Sequence, residues 1–223
     1  MQTEEPFWLS EAYSDAINTQ DIGLIYRNKV FSEIVTALFS LCGFNKTKPY
    51  LDYGGGYGMF VRMMRDSGYN FYWSDKFCEN VYATKFSVFE PFREQNRFET
   101  ATAFEVFEHL TDPIAEVEKL LSVTDSILFS TELIPENIEG WWYIMPEHGQ
   151  HISFYSKDTL QFLAKKYGLN LYTNNKTLHL LTKKRISKWG FSLASSLRFA
   201  RIYNTFFSPK SLLQEDYEQY LNK

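Results

Sequence analysis

The chain has 223 residues, a formal net charge of -4 at pH 7 and two cysteines, Cys42 and Cys78. This length suits one domain with a sizeable core, and the acidic balance argues against a protein that grips long nucleic acid through many phosphates. Two cysteines are too few for a disulfide framework or a thiolate metal site. Because neither a signal-like leader nor an apolar run of about 18 residues is present, we expect a cytoplasmic protein without a membrane span.

The chain begins with a predicted helical region, residues 1–45. Between Phe7 and Cys42, apolar residues recur three and four positions apart, as on one face of a helix, and Gly43 stands where such a helix would end. We therefore expect a helical preface before the main domain.

Residues 50–60 join an apolar strand to a glycine-rich turn that opens a helix. The glycines that follow the predicted strand 50–53 are Gly54, Gly55, Gly56 and Gly58. Glycine lets the backbone turn sharply and approach a ligand with no Cβ in the way, so this turn is a predicted ligand seat. A dinucleotide fingerprint would need a glycine where Met59 stands, which disfavours a pyrophosphate ligand.

Strands and helices alternate along the middle of the chain. Further strands are predicted at 71–74, 85–89, 100–104 and 126–130, and a hairpin at 169–173 and 177–182; helices are predicted at 58–66, 79–84, 116–121 and 157–167. This alternation predicts a parallel α/β sheet that closes with a hairpin. The C-terminal residues 186–223 are predicted to form helices that pack on the domain or on another subunit, which leaves a homodimer open.

The Asp-x-Gly-x-Gly-x-Gly pattern of residues 52–58 resembles the first motif of the class I S-adenosylmethionine-dependent methyltransferases. The resemblance implies S-adenosylmethionine as the cofactor and a Rossmann-like, mostly parallel sheet of seven strands with a reversed edge strand. We place this domain at residues 46–185, between the helical preface (1–45) and the helical C-terminal extension (186–223).

A second anchor for the cofactor is predicted at Asp75, directly after the strand at 71–74. A carboxylate there can accept hydrogen bonds from both ribose hydroxyls of an adenosyl group. By the same resemblance, Asp52 orients the glycine loop and meets the ammonium group of the methionine part, and Phe77 borders the adenine ring. The predicted cofactor-binding residues are Asp52, Gly54, Gly55, Gly56, Gly58, Asp75, Phe77 and Phe104.

A second motif, residues 104–113, reads Phe-Glu-Val-Phe-Glu-His-Leu-Thr-Asp-Pro. It resembles the Glu-Val-x-Glu-His-x-x-Asp-Pro signature of ubiquinone-pathway O-methyltransferases. Glu105, Glu108 and His109 are spaced i, i+3 and i+4, so a helical turn would bring them to one face. Two carboxylates and an imidazole there can bind a divalent cation or share a proton.

A later histidine-bearing segment, residues 141–154, is expected to face the substrate. Small-RNA 2′-O-methyltransferases hold a metal with a Glu-x-x-Glu-His motif and a later histidine; by this resemblance the metal ligands would be Glu105, Glu108, His109 and His151 (or His148). Without a metal, His109 or His151 could act as the general base beside Glu105. A structural role, in which Glu105 closes the methionine pocket and His109 caps helix contacts, is the third interpretation.

Longer stretches within residues 8–185 resemble a bacterial group of class I methyltransferases often met beside glycosyltransferase and surface-polysaccharide genes. The resemblance implies methyl transfer to an oxygen of a small-molecule substrate, such as a sugar, a nucleotide sugar or a related hydroxylated metabolite. A metal-dependent RNA 2′-O-methyltransferase is the alternative enzyme, although the acidic charge disfavours a nucleic-acid partner. A non-catalytic partner subunit that keeps the fold as a scaffold is the alternative outside the enzymes.

Overall fold

The computed structural model describes residues 22–93, 97–144 and 151–221. A six-stranded sheet with the order β2-β1-β3-β4-β6-β5 forms its centre. The strands are β1 (Tyr50–Tyr53), β2 (Phe71–Ser74), β3 (Ala101–Ala103), β4 (Ser126–Ser130), β5 (Asn170–Thr173) and β6 (Leu178–Thr182). Strands β1 to β4 are parallel, and β6 runs antiparallel to both of its neighbours, β4 and β5. The mixed α/β, Rossmann-like fold is therefore confirmed.

The predicted number of strands is wrong, and the predicted reversed edge strand is matched only in part. The described residues form six strands rather than seven, and the reversed strand β6 lies inside the sheet while β5 forms the edge. Burial explains this placement, because every residue of β6 is buried whereas most of β5 is only half-buried. A continuously buried strand suits an interior position, and a partly exposed one suits an edge.

The missing strand is the one predicted at 85–89. In its place, a 3₁₀ turn covers Thr84–Phe86, and a single bridge pairs Ser87 with Trp73 of β2. The backbone N–H of Val88 donates to the carbonyl of Trp73 at 2.8 Å, after which pairing with β2 ends. The helix predicted at 79–84 is also absent from the described residues, where bends precede the same 3₁₀ turn.

Helices cover both faces of the sheet. They are α1 (Leu24–Leu41), α2 (Met59–Asp66), α3 (Pro113–Leu121), α4 (Lys157–Lys166), α5 (Lys188–Ala194), α6 (Leu197–Phe207) and α7 (Leu213–Leu221), with further 3₁₀ turns at Phe107–His109 and Trp142–Ile144. Local sequence explains where two of them begin, since Asp112 accepts a hydrogen bond from the N–H of Ala115 and Ser156 accepts one from Thr159. The first 21 residues of the predicted helical preface lie outside the described residues.

Alternating side chains of the central strands build two apolar clusters, one on each face of the sheet. Tyr50 of β1 packs with Phe39 of α1 and Phe71 of β2, with ring centroids 4.9 and 5.1 Å from its own. The next residue, Leu51, belongs to the other cluster together with Phe129 of β4. This period of two is what a strand buried on both faces requires.

Helices α5 and α6 pack back onto α1, and the first cluster includes residues from all three. The division of the chain at residues 45 and 185 stays a prediction. Within the described ranges, none of the helices combines the length and hydropathy that a membrane span requires.

Candidate active site

A cleft of about 1170 Å³ opens beside the carboxyl ends of the parallel strands. The turn after β1, the turn after β2 and the turn after β3 all contribute to its wall, together with the start of α1. Ligands of Rossmann-like sheets bind at this edge because the loops there diverge and leave a crevice. The sequence places both of its predicted motifs at these turns.

The glycine loop follows β1 and takes backbone conformations that other residues rarely adopt. The φ angles of Gly54, Gly56 and Gly58 are 69°, 52° and 80°. A Cβ on Gly54 would lie 2.6 Å from Cγ2 of Val106, and one on Gly55 would lie 2.7 Å from Cδ1 of Trp73. The loop therefore requires glycine for both its conformation and its close packing.

Gly54, Gly55 and Gly56 line the cleft, whereas Gly58 is not among its lining residues. Gly58 instead turns the backbone into α2, and a Cβ there would overlap Oδ1 of Asn80. The predicted cofactor-binding set thus divides into glycines that face the cleft and one that positions the following helix.

Two side chains from β2 and its following turn hold the glycine loop in place. Trp73 donates from Nε1 to the carbonyl of Gly56 at 2.8 Å, and Oδ2 of Asp75 accepts from the N–H of Gly56 at 2.9 Å. Sequence reasoning missed Trp73, because an aromatic residue in a buried strand looks like a core residue until its pairing is known.

Asp75 also organises its own turn, since Oδ1 accepts hydrogen bonds from the N–H groups of Phe77 and Cys78 at 2.7 and 2.9 Å. A carboxylate has about four acceptor sites, and these contacts with Gly56, Phe77 and Cys78 use three of them. One ribose hydroxyl can be added without breaking a bond within the protein. The predicted pair of ribose hydrogen bonds would require one of the backbone contacts to give way.

Asp52 lies under the glycine loop and is only 3% exposed. Its Oδ1 accepts a hydrogen bond from the hydroxyl of Thr102 at 2.6 Å. Burial raises the pKa of Asp52 to about 7; the Thr102 hydrogen bond opposes this rise and the Asp75 carboxylate adds to it. A positive group bound next to Asp52 would favour its ionised form.

Phe77 and Phe104 supply aromatic surface to the cleft. Phe77 is 47% exposed in the turn after β2. Phe104 stacks on Phe31 of α1 with a centroid distance of 4.3 Å and meets the edge of Phe60 of α2 at 5.0 Å. These packing contacts fix the Phe104 ring at the end of β3.

Glu105 begins the second motif with a left-handed backbone, at a φ of 54°. The Ser130 hydroxyl accepts from the N–H of Glu105 at 2.7 Å and donates to its Oε1 at 2.6 Å, which holds this conformation. The other carboxylate oxygen, Oε2, lies 3.9 Å from Nε of Arg27. Glu105 therefore lies in the cleft as a member of an ion pair.

Glu108 has the opposite surroundings. It lies in the 3₁₀ turn Phe107–His109 and is fully buried, and neither carboxylate oxygen has a hydrogen-bond partner among the described residues. Burial raises the pKa of Glu108 and the nearby Glu105 carboxylate raises it further, whereas the Tyr143 hydroxyl and the charge of Arg27 oppose part of this rise. A buried carboxylate is costly for folding when its hydrogen bonds are not satisfied, so Glu108 is a candidate for a functional group.

Hydrogen bonds to the backbone carbonyls of Phe107 and Glu108 bring the later histidine segment to this turn. The N–H groups of Ile152 and Ser153 both donate to the carbonyl of Glu108, at 2.8 and 2.9 Å, and the Tyr155 hydroxyl donates to the carbonyl of Phe107 at 2.8 Å. The rings of His109 and His151 consequently meet with their centroids 4.9 Å apart.

The tautomer of His151 follows from its contact with Tyr143. Nδ1 of His151 lies 2.6 Å from the Tyr143 carbonyl oxygen, and because a carbonyl only accepts, Nδ1 carries the hydrogen. In the neutral ring, the lone pair is then on Nε2, the atom that can bind a metal or a proton.

The ligand atoms of Glu108, His109 and His151 all lie within 4.8 Å of one another. We call these three residues the Glu-His-His cluster. Glu105, which the sequence placed in the same metal site, is not part of this cluster, and its carboxylate contacts Ser130 and Arg27 instead. His148 lies outside the described residues.

A glycine loop and a titratable cluster in one cleft at the carboxyl ends of parallel strands define a Rossmann-like, methyltransferase-type site. The family model described as "Methyltransferase domain" matches residues 25–174, more than half of the chain, so the chain belongs to this family. The family match, with the fold, confirms the predicted class, an S-adenosylmethionine-dependent methyltransferase. No curated protein matches the sequence.

Several solved structures share the fold. A chain of the Haloferax volcanii complex between the Trm112 methyltransferase activator and a methyltransferase has a TM-score of 0.58 and 14% identity, covering 82% of this chain and 100% of that chain. The plantazolicin methyltransferase BpumL, in complex with SAH, has a TM-score of 0.57 and 12% identity, covering 79% and 94%. Magnesium protoporphyrin IX methyltransferase from Synechocystis PCC 6803, with bound SAH, has a TM-score of 0.50 and 15% identity, covering 78% and 90%. At these identities the likeness concerns the fold.

Proposed function

We propose that the chain methylates a hydroxyl oxygen of a sugar, a nucleotide sugar or another small hydroxylated metabolite, with S-adenosylmethionine as the donor. The observation that carries this proposal is that His109 and His151 line the same cleft as the glycine loop. A group that can take a proton from a hydroxyl thus shares one cavity with the seat of the methyl donor.

The chemistry requires alignment and a proton acceptor. The hydroxyl oxygen forms a bond to the methyl carbon as the carbon–sulfur bond breaks, the electron pair of that bond stays on sulfur, and the hydroxyl proton goes to a base. We assign the base role to Nε2 of His151, whose Nδ1 is occupied by the Tyr143 carbonyl. His109 borders the same position, with its ring nearly perpendicular to that of His151.

A divalent cation held by the Glu-His-His cluster is the second way to activate the hydroxyl. Two observations favour it: the buried Glu108 carboxylate has no hydrogen-bond partner among the described residues, and His151 donates its other ring N–H to a backbone carbonyl. Metal-binding histidines are commonly oriented by such a bond. When bound, the cation would lower the pKa of the substrate hydroxyl.

Methyltransferases with this fold have names that point to chemically different acceptors, so only the cleft itself supports a particular acceptor. Trp142 lines the cleft and is 66% exposed, which leaves a face for stacking on a sugar or a flat ring. Arg27 lines the same cleft beside Glu105. Together they suit a polar, hydroxylated acceptor.

Calorimetric titration with S-adenosylmethionine is the first test of this proposal. We expect the wild type to bind and Asp75→Ala to lose most of the affinity while it stays folded, because Asp75 holds Gly56 and the turn at Phe77. Asp158→Ala, an exposed carboxylate in the first turn of α4, is the matched control and keeps wild-type affinity. A wild type that does not bind S-adenosylmethionine contradicts the proposal and favours a non-catalytic subunit.

Turnover is then measured with sugar nucleotides, free sugars, small phenols and RNA that ends in a free 2′-hydroxyl, each with and without chelator. Methylation of a sugar-type hydroxyl supports the proposal, and methylation of RNA alone contradicts it. Turnover that is lost with chelator and restored by one divalent cation assigns the metal route. Turnover insensitive to chelator assigns the base role to the histidines.

A further inference from the structure

A buried ion pair fastens the C-terminal helix α7 to α2. Asp216 is 2% exposed, and its two carboxylate oxygens accept from Nε and NH2 of Arg65 at 2.8 and 2.6 Å. Arg62, one turn earlier on α2, donates to the same carboxylate at 2.7 Å. Two arginines of α2, the helix that the glycine loop opens, therefore converge on one acid of α7.

Arg65 also contacts two other segments. Its guanidinium NH1 donates to the carbonyl of Phe71 at 3.0 Å, at the start of β2. The same guanidinium lies over the ring of Phe86, with its carbon 3.5 Å from the ring centroid. At the other end of α7, Lys85 donates to the carbonyl of Gln219 and lies over the ring of Tyr220.

The segment that includes Phe86 is hydrogen-bonded to the glycine loop. The N–H groups of Val81 and Tyr82 both donate to the carbonyl of Tyr57 at 3.0 Å, within that loop. A few residues later, Val88 donates to the carbonyl of Trp73, the residue whose Nε1 holds the Gly56 carbonyl. A continuous set of contacts thus connects α7 with the glycine loop.

We propose that Asp216 is a positioning residue for the methyl-donor site. By clamping α2 and the segment around Phe86 together, it keeps the glycine loop in the conformation that binds the donor. This inference rests on the proposed function, since it takes S-adenosylmethionine as the ligand of that loop.

A purely structural role would reduce stability and leave the affinity for the donor unchanged. Glu99 provides the matched control, because it is also a buried acid (7% exposed) with a charged partner, Lys184, at 2.6 Å. Its side chain contacts Asn45, Lys48 and Lys184, none of which belongs to α2 or to the segment around Phe86. Glu99→Gln therefore breaks a comparable ion pair away from the glycine loop.

The experiment compares wild type, Asp216→Asn and Glu99→Gln by urea unfolding, by calorimetry with S-adenosylmethionine and by turnover at saturating donor. We expect Asp216→Asn to raise the Kd for S-adenosylmethionine by about tenfold, with kcat at saturation unchanged, and Glu99→Gln to leave this Kd at the wild-type value. Phe86→Leu keeps the site apolar but removes the ring under Arg65, and it should also raise the Kd. This variant provides the test if Asp216→Asn does not fold.

Wild-type affinity in folded Asp216→Asn overturns the inference, as does an equal loss of affinity in Glu99→Gln. Should Asp216→Asn fail to fold, unchanged affinity in Phe86→Leu has the same meaning. A wild type that does not bind S-adenosylmethionine is a different result, because it contradicts the proposed function itself.

Discussion

The two walls of the cleft satisfy their polar groups in different ways. On the glycine-loop side, the exposed backbone and the acidic groups have protein partners: Gly56 is held by Trp73 and Asp75, and Asp52 accepts from Thr102. In the Glu-His-His cluster, Glu108 is fully buried without a hydrogen-bond partner among the described residues. Hydrogen bonds within the protein hold the first region in place, whereas the second contains a fully buried acid next to two imidazoles.

This difference indicates that the two walls of the cleft have different functions. A seat that binds a large cofactor gains affinity from rigid groups placed before the ligand arrives. A reactive site instead keeps titratable groups whose energetic cost is recovered only when a proton, a metal ion or a substrate is present. Changes on the glycine-loop side should therefore alter donor affinity, and changes in the cluster should alter turnover.

The largest effect is expected for His151→Asn. The Asn amide can still donate to the Tyr143 carbonyl, but it cannot accept a proton or bind a metal as an imidazole does. We expect kcat to fall by about 10²- to 10⁴-fold, with the Kd for S-adenosylmethionine unchanged. Glu116→Gln is the control from the same cleft and should keep kcat near wild type. Unchanged kcat in His151→Asn would remove the residue from the mechanism.

A smaller effect, on binding, is expected for Gly54→Ala. The matched control is Gly140→Ala, because the two glycines have φ angles of 69° and 68° but a Cβ on Gly140 would meet nothing within 4 Å. Both variants should lose about 1 kcal/mol of stability through the left-handed backbone. Only Gly54→Ala adds a clash with Val106, and we expect its Kd for S-adenosylmethionine to rise by about 30-fold. Calorimetry that finds equal Kd values for the two variants contradicts the donor-seat assignment.

The smallest effect concerns the pH dependence of donor binding. Because burial raises the pKa of Asp52 to about 7, this acid is mostly protonated at a pH near 6 and mostly ionised near 7.5. The ammonium group of the donor favours ionised Asp52, so binding releases the proton and strengthens as pH rises. We expect the Kd to fall by about eightfold between these two pH values.

Asp52→Asn, an isosteric change, tests the origin of that pH dependence. It should bind more weakly than the wild type at the higher pH, and its Kd should be nearly the same at both pH values. A wild-type Kd that does not change between them, or an equal slope in the variant, means that Asp52 does not meet the ammonium group.

Much of the fold could be predicted because its signals are local. The glycine loop stands out through residue type alone, and six of the seven predicted strands form where short apolar runs occur. The seventh, at 85–89, has the same apolar character, but only Ser87 and Val88 reach β2 before the chain leaves the sheet. The position of β6 was misjudged because local pattern does not specify which strand of a hairpin pairs with β4.

The roles of site residues were harder to predict from the sequence where their contact partners are distant along the chain. Asp216 lies in an acidic stretch that looks like a solvated helix face, and its partner Arg65 is 151 residues away. Glu105 and Glu108 are three residues apart and look equivalent, yet Ser130 and Arg27 contact the carboxylate of the first, whereas the second is fully buried. Only the folded structure separates such neighbours, because their environments come from other segments.

The most direct test of the central claim, that one wall binds the donor and the other performs the transfer, is a paired measurement on the double variant His109→Asn, His151→Asn. This variant removes both imidazoles of the Glu-His-His cluster, so neither position can accept a proton or bind a metal as an imidazole does. Calorimetry with S-adenosylmethionine and turnover with the identified acceptor are measured on the same folded preparation. The account predicts wild-type donor affinity with turnover reduced by at least about 100-fold. Lost donor affinity, or wild-type turnover, would contradict it.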